Sequence, residues 1–237
     1  MRVHVDIGGS EALELMGALL VYQGHSRSFM SWHEVRAATE PGAPYLGEAT
    51  PVSMEFVRQL SEGLGMRLPA EVLPENVLVR TPETMVWWTP SRRKTMFFAD
   101  HDPEVARLNG HPFPQPPLVW RVTAKDLWVR ALSTNRRPTA TTKLMVAPFW
   151  NVDGETGWTC QGSMRSPDID GIASIPDWER AFYGSEFTHQ TGVRRLTKHP
   201  GGFFALWDEL AKADWVFPRA HLVPAGETLQ EFITRER

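Results

Sequence analysis

Lys143-Leu-Met-Val-Ala147-Pro-Phe-Trp-Asn151-Val-Asp-Gly-Glu-Thr-Gly-Trp-Thr-Cys160-Gln-Gly-Ser163 runs from a short apolar strand into a polar segment holding the only cysteine of the 237-residue chain. A lone free thiol commonly packs as a small hydrophobe among Val, Leu and Ile. Cys160 stands instead among Gly, Asp, Thr, Gln and Ser, with Gly157 and Gly162 on either side. That context reads as an irregular, solvent-accessible loop, where reactive thiols are found. Cys160 is therefore the first candidate functional residue, with an inert core cysteine as the competing reading.

Outward from this segment the pattern changes on both sides. Upstream, Leu118 to Thr123 and Leu127 to Leu132 read as a strand pair turned at Ala124-Lys-Asp126. Trp120 and Val122 fall on one face of its first strand. His111-Pro-Phe-Pro-Gln-Pro-Pro117 reads as extended loop, because its prolines lack ladder donors. Met85–Thr89 and Lys94–Ala99 read as a hairpin around Pro90-Ser-Arg-Arg93. Pro51 to Gly65 reads as a helix, with Ser53 as cap and Phe56, Val57, Leu60 and Leu64 on one face. Before it, residues 17–23 and 27–35 form a hairpin pattern around Gly24-His-Ser26, and Glu40-Pro-Gly-Ala-Pro44 breaks the chain.

Downstream the pattern is helical. Ser174 can cap a segment with Ile175, Trp178, Ala181 and Phe182 on one side. Phe203, Leu206, Trp207 and Leu210 follow helical spacing after Pro200-Gly-Gly202. Thr228-Leu-Gln-Glu231 is a capping box before Phe232 and Ile233. Helix, strands, cysteine loop and helices in that order define an α+β chain, with residues 1–50 as an N-terminal β extension and 51–237 as the core domain.

Composition bounds the function. At 42% hydrophobic and 22% charged residues the chain can bury a substantial core, to which ten Trp and twelve Phe contribute most. A formal net charge of −3 gives no basic footprint, which argues against nucleic acid or an anionic membrane as partner. One cysteine excludes an internal disulfide and any multi-cysteine zinc site, and the scattered histidines lack zinc-ligand spacing. The first residues lack a signal-peptide pattern, and the apolar run from Met16 to Tyr22 is too short to span a bilayer. A soluble protein of the reducing cytoplasm is expected.

The Thr142–Asn151 strand and turn followed by Cys160 resembles the active-site segment of ubiquitin-conjugating enzymes, where a strand leads to His-Pro-Asn and then the thioester cysteine. The chain is similar above all to the PRTRC system protein B family, a prokaryotic ubiquitin-conjugating-like group. Pro74-Glu-Asn-Val-Leu78, Val86-Trp-Trp88, Met96-Phe-Phe98, Leu127-Trp-Val-Arg-Ala-Leu132 and Arg137-Pro138 carry the likeness through the middle. Ala147-Pro-Phe-Trp-Asn-Val152, Cys160-Gln-Gly-Ser163, Trp178-Glu179, Glu186-Phe-Thr-His189 and His199-Pro-Gly-Gly202 carry it to the end. It departs from the eukaryotic pattern in placing Ala147 at the histidine position, and its Asn–Cys gap is about one residue longer. The resemblance implies a ubiquitin-conjugating-like fold and a thioester on Cys160. It also implies an operon with a ubiquitin-like protein, a ThiF-like activating enzyme and a JAB-type isopeptidase. ATP would be consumed by the activating enzyme, so neither cofactor nor metal is expected here.

The chemistry fits the residue types. A thiolate attacks an activated carboxyl and leaves again readily when an amine arrives, which a serine alkoxide does poorly. Asn151 could donate to the oxyanion formed in that step, or could simply hold the turn before Val152. A base could come from His189, His199, Asp168 or Asp170. The alternatives are structural imidazoles and a polar turn at Ser166-Pro-Asp-Ile-Asp170. Arg92-Arg-Lys94 and Arg136-Arg137 read as a turn and a solvated edge, or as docking sites for an acidic surface. Two rival functions remain: a scaffold that keeps the fold without the thioester, and a thiol hydrolase pairing Cys160 with His189 or His199.

Overall fold

Two runs of apolar residues fold back on each other around Gly24 in the first of two compact units, Met1–Ala70 and Glu71–Arg237. The structure, a computed structural model, describes residues 4–5, 13–24, 27–36, 43–63, 72–81, 83–99, 103–123, 126–167, 171–188, 192, 194–212 and 216–235. In the first unit β1 (Gly17–Gln23) pairs antiparallel with β2 (Ser28–Arg36), as expected; the turn residues His25 and Ser26 lie outside the described residues. A third strand, β3 (Tyr45–Pro51), adds to the other edge of β2. The expected helix follows as α1 (Met54–Gly63), and the Ser53 hydroxyl caps it by accepting the Phe56 N–H at 3.1 Å. The Phe56 ring lies 4.6 Å from that of Trp32 on β2, which groups α1 with the N-terminal strands. Leu64 and Gly65, the expected end of the helix, lie outside the described residues.

The second unit opens with β4 (Val77–Arg80), β5 (Thr84–Thr89), β6 (Arg92–Thr95), β7 (Phe97–Phe98) and the single turn α2 (Pro103–Ala106). It continues with β8 (Pro112–Gln115), β9 (Leu118–Thr123), β10 (Asp126–Ala131) and β11 (Lys143–Val146). Then come α3 (Ile175–Tyr183), β12 (Glu186–Phe187), α4 (Gly202–Lys212), β13 (Pro224–Thr228) and α5 (Leu229–Thr234). Six strands form one antiparallel sheet in the order β13-β11-β10-β9-β5-β4. The expected pair of Leu118–Thr123 with Leu127–Leu132 is its centre, with Trp120 opposite Val129 on one side and Trp87 on the other.

Two expectations need correction. The Met85–Thr89 run does not pair with Lys94–Ala99. Met85, Val86 and Trp87 are buried on both faces, so β5 takes an inner place between β4 and β9, while the charged Arg92–Thr95 is left to the periphery. There it pairs with Pro112–Gln115, the proline stretch expected as loop. The His111 carbonyl accepts from Met96 N at 3.2 Å, so His111, Phe113 and Gln115 face β6 and the alternate Pro112 and Pro114 face away. Prolines at every second position remove donors from one edge only, and the other edge can still form a ladder.

The helices cover the sheet by the faces their spacing predicts. Trp178 and Phe182 of α3 and Phe203, Leu206, Trp207 and Leu210 of α4 are all buried. Trp120 meets Phe182 at 5.1 Å, and Phe113 meets Trp207 at 5.4 Å. Ser174 stands at the head of α3, but its hydroxyl turns back to the Gly171 carbonyl at 2.9 Å and caps no helical N–H. Pro176, in the first turn, lowers the need for a capping acceptor. The Thr228 capping box forms in full, with Glu231 Oε2 accepting Thr228 N–H at 2.7 Å. At its other end α5 is closed by Arg121, which donates to the carbonyls of Phe232 and Arg235. Among the described residues no helix is long and apolar enough to cross a membrane.

Candidate functional site

The segment from Asn151 to Cys160, expected as an irregular loop, is a two-limbed hairpin. Cys160 N–H donates to the Asn151 carbonyl at 2.8 Å, Val152 bridges Thr159, and Asp153 N–H donates to Trp158 O at 2.8 Å. The tip is shaped by Asp153, whose Oδ1 accepts from both the amide and the hydroxyl of Thr156. Gly157 follows with φ of 77°, and a Cβ there would stand 2.8 Å from the Val129 carbonyl. Only glycine permits both that backbone and that approach. The approach joins the hairpin to the sheet: Val129 N–H donates to Gly157 O and Thr159 N–H to Leu127 O, each at 2.8 Å. The first half of β10 therefore pairs with the cysteine hairpin, and its second half, Arg130 and Ala131, pairs with β11.

The tip is also held from below. Arg130, fully buried on β10, donates Nη1 to Gly154 O at 3.1 Å and Nη2 to Glu155 O, while its Nε bonds Glu227 at 2.7 Å. Burial disfavours the guanidinium charge and Glu227 opposes that effect. Arg235 bonds the second oxygen of Glu227 and the Thr156 carbonyl, and Arg194 bonds Glu155 at 2.8 Å. Sequence reading missed this set. Its signal is Arg130 itself, a charge inside the otherwise apolar run Leu127-Trp-Val-Arg-Ala131, where only a paired side chain is stable.

Cys160 is half-buried at the open end of the hairpin. Asn151, directly across from it, is 4% exposed. Its Nδ2 donates to Glu186 O at 2.9 Å and its Oδ1 accepts from Thr188 N at 3.3 Å. Ser163, on the other side of the cysteine, accepts from Glu186 N–H at 2.7 Å. The cysteine is thus flanked by two side chains that grip one segment, Glu186 to Thr188. Pro148, Phe149 and Trp150 anchor the approach. Trp207 donates to Pro148 O at 3.0 Å, Phe149 meets Phe182 at 5.1 Å, and Trp150 meets Phe203 at 4.5 Å. Asn151→Ala should destabilise the fold by about 1–3 kcal/mol, the cost of orphaning buried backbone groups. A shift of the denaturant midpoint at constant slope would register it; an unchanged midpoint would show that the clamp contributes nothing.

Of the other candidates, His199 is 6% exposed and engaged at both ring nitrogens. Its Nδ1 accepts from Gly201 N–H and its Nε2 donates to Glu209, each at 3.2 Å. It fastens the start of α4 and has no nitrogen left for a thiol. His189, Asp168 and Asp170 lie outside the described residues. Among the described residues no group of three or more His, Cys, Asp or Glu is placed to hold a metal ion.

A mixed chain of antiparallel sheets and few helices, with its one thiol on a sheet-bound hairpin, is consistent with an E2-like fold. The profile of the family described as prokaryotic E2 family D matches residues 54–225, and the chain belongs to that family. Membership implies, in general terms, a ubiquitin-like protein and an activating enzyme as partners. No curated protein and no solved structure matches the chain.

Proposed function

We propose that this protein is a carrier that accepts a bacterial ubiquitin-like protein from a ThiF-like activating enzyme as a thioester on Cys160 and passes it to an amine. The observation that carries the reading is the half-exposed Cys160, backbone-paired to Asn151 on a hairpin fixed to the sheet, in a chain of an E2-like family. The Cys160 thiolate attacks the carbonyl of the activating enzyme's thioester and expels that enzyme's thiolate. The acceptor amine then attacks the new thioester, loses a proton and expels Cys160. ATP is consumed by the activating enzyme, and no cofactor or metal enters these steps.

In this reading Asn151 holds Glu186 and Thr188 beside the cysteine, and its second amide hydrogen is the candidate donor to the oxyanion of the second step, while His189 and Asp168 are the candidates for receiving the amine's proton. Residues 51–237 act in it as the carrier domain and 1–50 as its β extension; the family match starts at residue 54, whereas α1 is grouped with the N-terminal strands in the unit Met1–Ala70. The PRTRC system protein B likeness adds a JAB-type isopeptidase as the enzyme that reverses conjugation, and the reducing cytoplasm as the place where a free thiol persists.

Mixed with ATP, the operon's activating enzyme and the matured ubiquitin-like protein, the chain should form an adduct that excess thiol dissolves. Asn151→Ala should still charge but discharge to lysine more slowly, by roughly 10²–10³-fold if the amide is an oxyanion donor. Discharge at the normal rate in folded Asn151→Ala would leave the residue a purely structural role. If the activating enzyme charges and this chain does not, the carrier reading fails and the scaffold reading takes its place.

A further inference from the structure

Two open depressions, of about 590 and 460 Å³, meet at Arg180 and Gly184 and run along α3 from Ser163 to Lys94. One end lies three residues beyond Cys160 in the chain. Among the described residues three basic side chains line them: Arg165, Arg180 and Lys94. The two acids of this described lining are already committed, Asp177 to Arg180 at 2.6 Å and Glu179 to Arg92 and to the Trp87 indole. Neither Arg165 nor Lys94 has an ion pair among the described residues. Lys94 lies 5.5 Å over the Tyr183 ring, and partial burial followed by the neighbouring charge of Arg92 works against its ammonium form.

The Tyr183 ring forms part of the floor, only 5% exposed, with its hydroxyl buried beside Arg92 and Glu179. Pro167, Pro176, Ala181 and Phe97 supply apolar wall along the two depressions. Two open depressions in series suit an extended chain better than a compact small molecule, which prefers an enclosed cavity.

We propose that this groove is the docking channel for an extended, acidic peptide segment of a partner protein. Its carboxylates lie against Arg165 and Lys94, and its backbone runs over the apolar wall of Pro167, Pro176, Ala181 and Phe97. Among the described residues the charge pattern selects the partner: the two cations without an ion pair are offered, and both lining acids are engaged. The proposal requires no chemistry at Cys160, so it stands or falls apart from the thioester reading.

The test uses the full chain carrying Cys160→Ala, which takes no acyl group. Fluorescence polarisation follows a fluorescein-labelled peptide of alternating Gly and Glu against the same peptide with Gln. The Glu peptide should bind and the Gln peptide should bind at least roughly tenfold more weakly. Lys94→Glu and Arg165→Glu, both at the groove's rim, should each weaken the Glu peptide roughly tenfold while leaving the thermal midpoint unchanged. Equal binding of the two peptides, no binding of either, or indifference to both charge reversals would overturn the proposal. So would a short single-stranded oligonucleotide that competes better than the Glu peptide, since the groove would then be a general polyanion site.

Discussion

With Cys160 replaced by alanine, the thiol-sensitive adduct is expected to disappear completely, and with serine in its place an adduct should persist that thiol no longer dissolves. The first result follows because no other cysteine exists in the chain to accept the acyl group. The second follows from leaving-group chemistry: an alkoxide is a far poorer leaving group than a thiolate, so an oxyester outlives the thioester. Stability should barely respond, by about 1 kcal/mol or less, because the side chain is half-exposed and its backbone partner Asn151 O is unaffected. Loss of the adduct at retained stability therefore reports chemistry rather than unfolding. An adduct that survives Cys160→Ala and resists thiol would place the acceptor on a lysine and remove the carrier reading.

Arg130→Ala should produce the largest loss of stability, about 3–5 kcal/mol, the scale of breaking a buried ion pair from one side. The side chain holds three oxygens at once: Gly154 O, Glu155 O and Glu227 Oε1. Arg235 still reaches Glu227 in the variant, but no group replaces Arg130 at the two tip carbonyls. Arg130→Lys keeps the charge yet cannot span three acceptors, so it should recover only part of the loss. Denaturant unfolding measures the total. Faster amide exchange at Gly157 and Thr159 than at Trp120 would show that the hairpin loosens first. A variant within about 1 kcal/mol of the natural chain would mean that the clamp is dispensable.

The helical half was the most legible from sequence. Phe203, Leu206, Trp207 and Leu210 repeat at helical spacing, and Thr228 with Glu231 specifies a cap through local bonds alone. Such signals lie within one turn of their consequence. The central pair β9 and β10 was legible for the same reason, its partners being separated by only two residues in the chain. What escaped was non-local. β5 pairs with β9 across 28 intervening residues (Pro90 to Pro117), and β13 returns to β11 from the far end of the chain. Neither pairing leaves a mark in either strand alone.

At the site, composition pointed to Cys160 but misread its surroundings. Gly, Thr and Asp signal turn chemistry whether the chain wanders or doubles back, and only the bonds from Gly157 and Thr159 to β10 decide between them. Asn151 was legible as a candidate, whereas its hold on Glu186 and Thr188 depends on a segment 35 residues away. Arg130 is hidden in the sequence by its apolar neighbours, which mark the segment as a strand. A buried charge in such a run is itself a sign of a built network.

The register of the cysteine hairpin separates what fixes the mouth from what fixes the turn. Asn151 lies opposite Cys160, Val152 opposite Thr159 and Asp153 opposite Trp158, so the turn alone lies beyond the last of these pairs. A residue gained or lost in the turn would change the count between asparagine and cysteine while the paired limbs keep both at the mouth, and its cost would fall on the Gly154, Glu155 and Thr156 carbonyls that Arg130 and Arg235 hold.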